Sequence, residues 1–368
     1  MNKKVAIATF VSNNYGTCLQ AFALKKAVEQ LGFNPEVITA KESGLGSQNK
    51  SGKLSSLFRI IRQYGPLKFF RFLKARKYWR LNDKMFREFF QEYLDWDSLS
   101  TTINDSYDLA ITGSDMVWSS EYIEHADFYF LRWIEPAKRV AYAPSFGSVC
   151  VCCEGEKMYA RYLKDFKAIS CREKGGCDYI KRISNINASF VCDPTLLFTS
   201  EDWHKFLHFD SKASSILLVN CFGGLSRADR LSLKRLAYMK GWNIRYLNIG
   251  IDETLHEVKY DYQGYGPSQF LSLSSRSDFQ IVNGYHGLIF AIIFNKPFVA
   301  LHRYQDEHWA KHEQRMVDLL DYLGISDRYI FSLSEIKDYH FELDYSEINQ
   351  KLEKFRKDSW AYLANALK

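Results

Sequence analysis

Ten short apolar runs rich in β-branched residues alternate along this chain with segments of helical period, and no other feature constrains its fold more. The first six are Lys4–Val11, Pro35–Ala40, Asp108–Thr112, Arg139–Tyr142, Ala168–Cys171 and Phe190–Cys192. A second series opens at Ile216 and continues with Ile244–Ile249, Phe279–Asn283 and Phe298–Leu301. Unbroken apolar runs of this length suit strands buried on both faces, as parallel sheets require. Their alternation with helices predicts an α/β fold. One helix is expected over Leu19–Leu31 with Gly32 after it, another over 228–240 ending at Gly241, since glycine closes helices in the left-handed conformation.

A chain of 368 residues exceeds the roughly 250–300 that one core serves. The hydrophilic stretch 208–215 (HFDSKASS) separates the two strand series. This predicts a doubly wound α/β domain over 1–207, a second over 208–335, and a closing helix over 345–368. Ser346 is the expected cap of that helix, and Ile348, Leu352, Phe355, Tyr362 and Leu363 its buried face. Ligands of doubly wound domains gather at the carboxyl ends of the strands, in the cleft that two such domains form.

Several classes fall away. The apolar run Val5–Val11 is at the short limit of a signal sequence and has no small-x-small cleavage site, so it reads as a buried strand. The run Leu288–Phe294 is far short of the ~20 residues of a membrane span. A cytoplasmic protein is expected, with its eight cysteines as thiols rather than disulfides. Cys150, Cys152 and Cys153 lack metal-ligand spacing, and His308 and His312 lack the glutamate of a zinc helix, so no metal is expected. G-x-G-x-x-G and Walker A loops are both absent.

The strand ends carry the chemistry. The first runs into Asn13-Asn14-Tyr15-Gly16-Thr17, where a helix N-terminus offers free N–H groups to an anion or a hydroxyl. Thr112-Gly113-Ser114-Asp115 sets a carboxylate beside a small, open turn, suited to acid–base work. Ala143-Pro144-Ser145 repeats the small-residue turn. Ser170-Cys171-Arg172-Glu173 puts a guanidinium at the cleft, where its planar fork matches phosphate or carboxylate. Asp193, followed by Pro194, reads as a structural turn. His286 stands between Gly284 and Gly287 at a strand-to-helix turn, where an imidazole can move a proton next to an anion on the helix N-terminus.

Six segments in this order, NNYGTCLQAFAL, ITGSDMVW, RVAYAPSFG, SCRE, CDPT and NGYHGLIFAIIFNKPF, make the chain resemble the polysaccharide pyruvyltransferase family from about residue 4 to 325. It departs from that pattern at Met116 and Ser119, where the family usually has Gln and Asn, and at Pro144 and residues 150–153. The resemblance implies two Rossmann-like domains facing across a cleft, as in the GT-B glycosyltransferases, with the last helix packing back on the first domain. It implies phosphoenolpyruvate as co-substrate, with no further cofactor. A sugar of a surface polysaccharide or its lipid-linked precursor would be the acceptor, and a cyclic pyruvyl ketal and phosphate the products. His286, Arg172 and Asp115 are then the expected catalytic residues. Tyr285 and Gly287, with Arg303, Lys311 and Arg315 as candidate further cations, form the donor site. Asn14, Tyr15, Gly16, Ser114 and Ser145 form the acceptor side. A nucleotide-sugar glycosyltransferase or a non-catalytic glycan-binding relative is the alternative.

The net charge of +6 is unevenly spread. Residues 51–80 hold nine Lys and Arg and no acid, interleaved with Leu, Ile, Phe, Tyr and Trp, within an inserted helical segment at about 45–105. Such a composition suits a helix lying on an anionic membrane, or a hairpin packed on its domain with its cations in water. The first reading puts the protein at the inner membrane face. Nucleic acid is not an expected partner, because no recognition module accompanies the charge.

Overall fold

The computed structural model describes residues 2–40, 76–95, 107–147, 153–212, 215–222, 225–247, 264–303 and 313–368. Among the described residues eleven strands form two parallel sheets. The first contains β1 (Lys4–Ala8), β2 (Asn34–Ile38), β3 (Leu109–Thr112), β4 (Arg139–Ala141), β5 (Ala168–Cys171) and β6 (Ser189–Phe190), in the order β2-β1-β3-β4-β5-β6. The second contains β7 (Ile216–Asn220), β8 (Asn243–Leu247), β9 (Phe279–Val282), β10 (Phe298–Leu301) and β11 (Tyr329–Ile330), ordered β11-β10-β9-β7-β8. The chain passes from one sheet to the other between Leu207 and Ile216. Each order reverses once, between β1 and β3 and between β7 and β9, and a crevice opens at such a reversal.

The helices that matter below are α1 (Tyr15–Gln30), α2 (76–93), α3 (Cys153–Leu163), α4 (Lys174–Ser184), α5 (Ser200–Leu207), α6 (Arg227–Lys240), α7 (Pro267–Arg276), α8 (Tyr285–Ile293), α9 (Gln314–Leu323) and α10 (Ser346–Ala366). Strand alternation distributes the core. Val5 and Ile7 of β1 join a cluster that runs through both domains, while Ala6 and Ala8 join a second cluster on the other face of the first sheet. The second sheet divides likewise: Leu218 faces the shared core, and Leu217 and Val219 face an outer cluster under α6.

That shared core holds the two domains together. Tyr15 stacks on Phe270 of α7 at 4.9 Å and donates to the Tyr265 carbonyl at 3.0 Å. Helix α2 spans the same junction: Asn82 Oδ1 accepts from Tyr265 N–H at 2.6 Å, and Phe86 packs on Tyr15. Residues 51–75 lie outside the described residues, but Tyr78, at the end of the basic stretch, is buried in this junction rather than free to enter lipid. Helix α10 crosses back over the first domain, where Arg356 and Trp360 donate to the carbonyls of Leu196 and Leu197, and Tyr362 to that of Ala141.

Two expectations need correction. Ser346 does not cap α10; it is the first helical residue, and Asp344 accepts from its N–H and hydroxyl. Helix α1 begins at Tyr15, four residues earlier than its apolar period suggests, because Asn14 Oδ1 captures the N–H groups of Gly16 and Thr17. Among the described residues no helix is long and apolar enough to cross a membrane.

Candidate active site

Asp115, Arg172, Asp193, His286 and Arg303 each follow the carboxyl end of a strand, and Arg315 reaches the same place from α9. Arg172 leaves β5 with its side chain wholly buried. Its Nη1 donates to Asp193 Oδ2 at 2.9 Å, its Nη2 lies 3.5 Å from Asp115 Oδ1, and its Nε lies 3.4 Å from Glu173 Oε1. Burial opposes its charge, but Asp193, Glu173 and Asp115 outweigh that and hold it above its ordinary value. The guanidinium sits 4.6 Å from the centre of the Tyr285 ring.

Asp193 is the hub, which corrects the reading of it as a mere turn residue. Its Oδ1 accepts from Thr195 N–H at 3.0 Å and Thr195 Oγ1 at 2.7 Å. Its Oδ2 faces Arg172, the Ser114 hydroxyl at 3.1 Å and His286 Nε2 at 3.5 Å. Burial alone would raise this carboxyl, but His286 and then Arg172 hold it well below the usual range. One fully buried carboxylate thus ties the first domain's arginine to the second domain's histidine.

His286 is the second residue of α8, whose N-cap Gly284 has no side chain to satisfy the first-turn N–H groups. Gly16 of α1 meets it from the first domain. A Cβ built on Gly16 would fall 2.1 Å from His286 Nδ1 and 2.4 Å from its Cγ, so only glycine admits the ring here. Gly287 lets α8 approach β7: a Cβ there would lie 2.8 Å from Asn220 Nδ2.

Two further arginines come from the second domain. Arg315, on α9, reaches to 5.5 Å from the Tyr285 ring centre, on which Arg172 also packs. Burial and the nearby Arg172 push it down to about 10, against the pull of Asp115 and Glu173, and it stays cationic at neutral pH. Arg303 follows β10; its Nε donates to the Asn283 carbonyl at 2.8 Å and its guanidinium lies over Phe222 at 4.9 Å. Glu313 fixes the strand end that carries it, accepting from Arg303 N–H at 2.8 Å and from Tyr329 OH at 2.5 Å, with His302 Nδ1 at 2.6 Å. Lys311, His308 and His312 lie outside the described residues.

Three buried nitrogens of this cluster lack a well-formed hydrogen bond: Arg315 Nε has none, while Arg172 Nη2 and His286 Nε2 have only long ion pairs, at 3.5 Å, to Asp115 and Asp193. Buried donors are rarely left so. Gathered around Tyr285, they are groups that could donate to the oxygens of a small anion.

The residues expected on the acceptor side are brought together differently. Gly16 and Ser114 belong to the frame around His286 and Asp193. Asn14 is spent capping α1. Tyr15 is a core residue with its hydroxyl on Tyr265, and Ser145 is fully buried with its Oγ accepting from Gly147 N–H, so neither faces an acceptor. Asp115 does keep contact with the cleft: it is partly exposed, has φ +67°, and uses Oδ1 on Met116 N–H at 2.9 Å. A left-handed conformation is uncommon for a residue with a side chain, but Asp tolerates it, and here it aims the carboxylate at Arg172.

Sequence reasoning passed over three residues. Tyr122 lies near both Asp115 and Arg315, and burial followed by Asp115 raises its phenol. Gln20, fully buried, joins the β1 and β3 ends by donating to Thr9 Oγ1 at 2.9 Å and accepting from Ser114 N–H at 3.2 Å. Glu313 is the third. A glutamine inside an apolar helical run was the visible signal for Gln20; Tyr122 and Glu313 gave none.

Comparisons with known proteins bear on this site. A model of the polysaccharide pyruvyl transferase family matches residues 14–303, a span that holds Asp115, Arg172, Asp193, His286 and Arg303. No curated protein matches by sequence. Among solved structures, UGT89C1 of Arabidopsis thaliana superposes with a TM-score of 0.50 at 12% identity, covering 100% of this chain and 99% of that one. A glycosyltransferase from Rickettsia africae covers 98% and 99% at 13% identity with a TM-score of 0.40. MurG of Acinetobacter baumannii covers 100% and 99% at 11% identity, with a TM-score of 0.42. At these identities the likeness concerns the fold alone, two α/β domains in the GT-B arrangement.

Proposed function

Because this chain belongs to the polysaccharide pyruvyl transferase family, we propose that it moves the enolpyruvyl group of phosphoenolpyruvate onto two hydroxyls of one sugar. The sugar belongs to a surface polysaccharide or its lipid-linked precursor, and phosphate is released. The observation that carries this reading is the set of three buried nitrogens without a well-formed hydrogen bond, Arg172 Nη2, Arg315 Nε and His286 Nε2, around Tyr285. A phosphate and a carboxylate on a three-carbon frame supply oxygens for all three, with Arg303 as a further cation.

In the scheme, His286 gives a proton to C3 of the enol phosphate, which leaves an oxocarbenium-like centre at C2. One sugar hydroxyl adds to C2 as Asp115 takes its proton, the C2–O bond to phosphate breaks, and the second hydroxyl closes the ketal. The two hydroxyls release two protons: one restores the proton spent on C3 and the other leaves with phosphate. Asp193 does not touch the substrate in this scheme. It holds Arg172 and His286 in register, one from each domain. The scheme moves protons only and calls for no cofactor beyond the co-substrate. We place the reaction in the cytoplasm, at the inner membrane face where lipid-linked acceptors are met.

The test is incubation of the purified chain with phosphoenolpyruvate and a panel of hexose- and hexosamine-terminated glycans, read by phosphate release and glycan mass. The expected product is heavier by one pyruvic acid less one water. Consumption of a nucleotide sugar in place of phosphoenolpyruvate would overturn the reading in favour of glycosyl transfer.

A further inference from the structure

Helix α6 covers the face of the second sheet that looks away from the first domain, buried through Leu233, Leu236 and Ala237. At 3.6 residues per turn, Arg227, Leu231, Lys234, Arg235, Tyr238 and Met239 fall within one arc of roughly 140°. All six are exposed, with Leu231 at 62%, Tyr238 at 89% and Met239 at 62%. The single acid of the helix, Asp229, is buried and accepts from Leu333 N–H at 2.8 Å and the Ser332 hydroxyl at 3.2 Å. The exposed arc therefore carries cations and large apolar groups, and no carboxylate.

No other surface helix is built this way among the described residues. Helix α10 turns Glu353 and Asp358 outward beside Lys354 and Lys357, and α4 exposes Asp178 beside Lys181 and Arg182. A lone exposed apolar residue needs no explanation. Here three of the six large apolar residues exposed among those described share one arc of one helix, and contiguous apolar surface of this kind marks an interaction site.

We propose that this face of α6 docks on an anionic lipid surface. Cations spaced among Leu, Met and Tyr suit a helix lying in the headgroup region, with the apolar side chains entering the acyl boundary and the cations meeting lipid phosphates. A second copy of the chain fits poorly, because a two-fold contact through this arc would set the cations Arg227, Lys234 and Arg235 of one copy against the same cationic arc of the other, with no acid between them. The docking is independent of the enolpyruvyl reading and does not need residues 51–80.

Flotation of the full chain with vesicles of equal parts phosphatidylcholine and phosphatidylglycerol tests it, against vesicles of phosphatidylcholine alone. The chain should float with the first only, and less as salt rises. Lys234→Gln with Arg235→Gln should weaken partitioning on the order of thirtyfold, about fivefold per cation. Leu231→Ser, Tyr238→Ser and Met239→Ser together should weaken it at least tenfold, as a rough lower bound for the lost apolar contact. Thermal unfolding of each variant should match the parent; if the serine variant melts early, the glutamine pair decides. Failure of the parent to float, or variants that float as the parent does, would overturn the proposal. So would loss of all flotation on neutralising 51–80 alone, or variants that change the sedimenting mass and leave partitioning intact.

Discussion

The two domains bring different kinds of arginine to the same tyrosine. Arg172, from the first domain, is enclosed by Asp193, Asp115 and Glu173, and those carboxylates hold its charge against burial. Arg315, from the second, is pushed down by burial and by Arg172 itself, and its Nε has no partner. Arg172 is held by carboxylates around it, although its Nη2 has only the 3.5 Å contact to Asp115, whereas Arg315 leaves a buried Nε with no hydrogen bond. In the proposed reaction, a site divided in this way would keep its geometry when empty and concentrate its binding energy on the incoming phosphoenolpyruvate.

The comparison breaks most visibly at Arg172. Replacing it by Met strands Asp193 in the core without its nearest cation, which typically costs about 3–5 kcal/mol and should abolish turnover. Urea unfolding reads the first effect. An Arg172→Met protein as stable as the parent would end the claim that the buried Asp193 depends on this charge.

His286→Ala should lower kcat by about 10²–10⁴, the usual share of a general acid, with phosphoenolpyruvate still bound through the arginines. Gly16→Ala should reach about 10² in kcat without touching either substrate, because its Cβ would occupy the place of the His286 ring and a misplacement of about 1 Å is costly. Normal kinetics in the alanine variant would mean that the ring has room to move.

Arg315→Met sharpens the contrast from the other side. It should leave stability near that of the parent and weaken phosphoenolpyruvate binding by roughly ten- to a hundredfold, the value of one or two charge-assisted hydrogen bonds. Calorimetry separates it from Arg172→Met, for which stability falls first.

The smallest effect is in pH. The carboxyl of Asp193 is held below its ordinary value of 3.8 in the folded chain, so its contribution is present above that value and is lost as pH falls below it. Stability measured from about pH 6 down to 3 should fall at the acid end, and Asp193→Asn should remove that part of the slope.

How much of this was legible in the letters follows from what a strand end can and cannot reveal. Buried parallel strands are unbroken apolar runs, so Ala168–Cys171 and Phe298–Leu301 match their predicted limits. Arg172 and His286 were visible because each follows such a run, and His286 stands among glycines. The turn expected at Asp193 is there, with Asp193 capping Pro194–Leu197, but a turn is only half of what this residue does. Its partners, Ser114, Arg172 and His286, are joined to it by tertiary folding, which no local pattern records. Tyr15 and Ser145 erred in the opposite direction: a position in a βα turn does not say which way the side chain points, and both point into the protein. Tyr122 and Glu313 lie outside the strand-end motifs altogether.

The most direct test of the central claim is calorimetric titration of the purified chain with phosphoenolpyruvate in the absence of any acceptor. One equivalent should bind, Arg315→Met should bind it more weakly, and nucleoside diphosphates should not compete. Absence of phosphoenolpyruvate binding, with a nucleotide sugar taking the same site, would contradict the account.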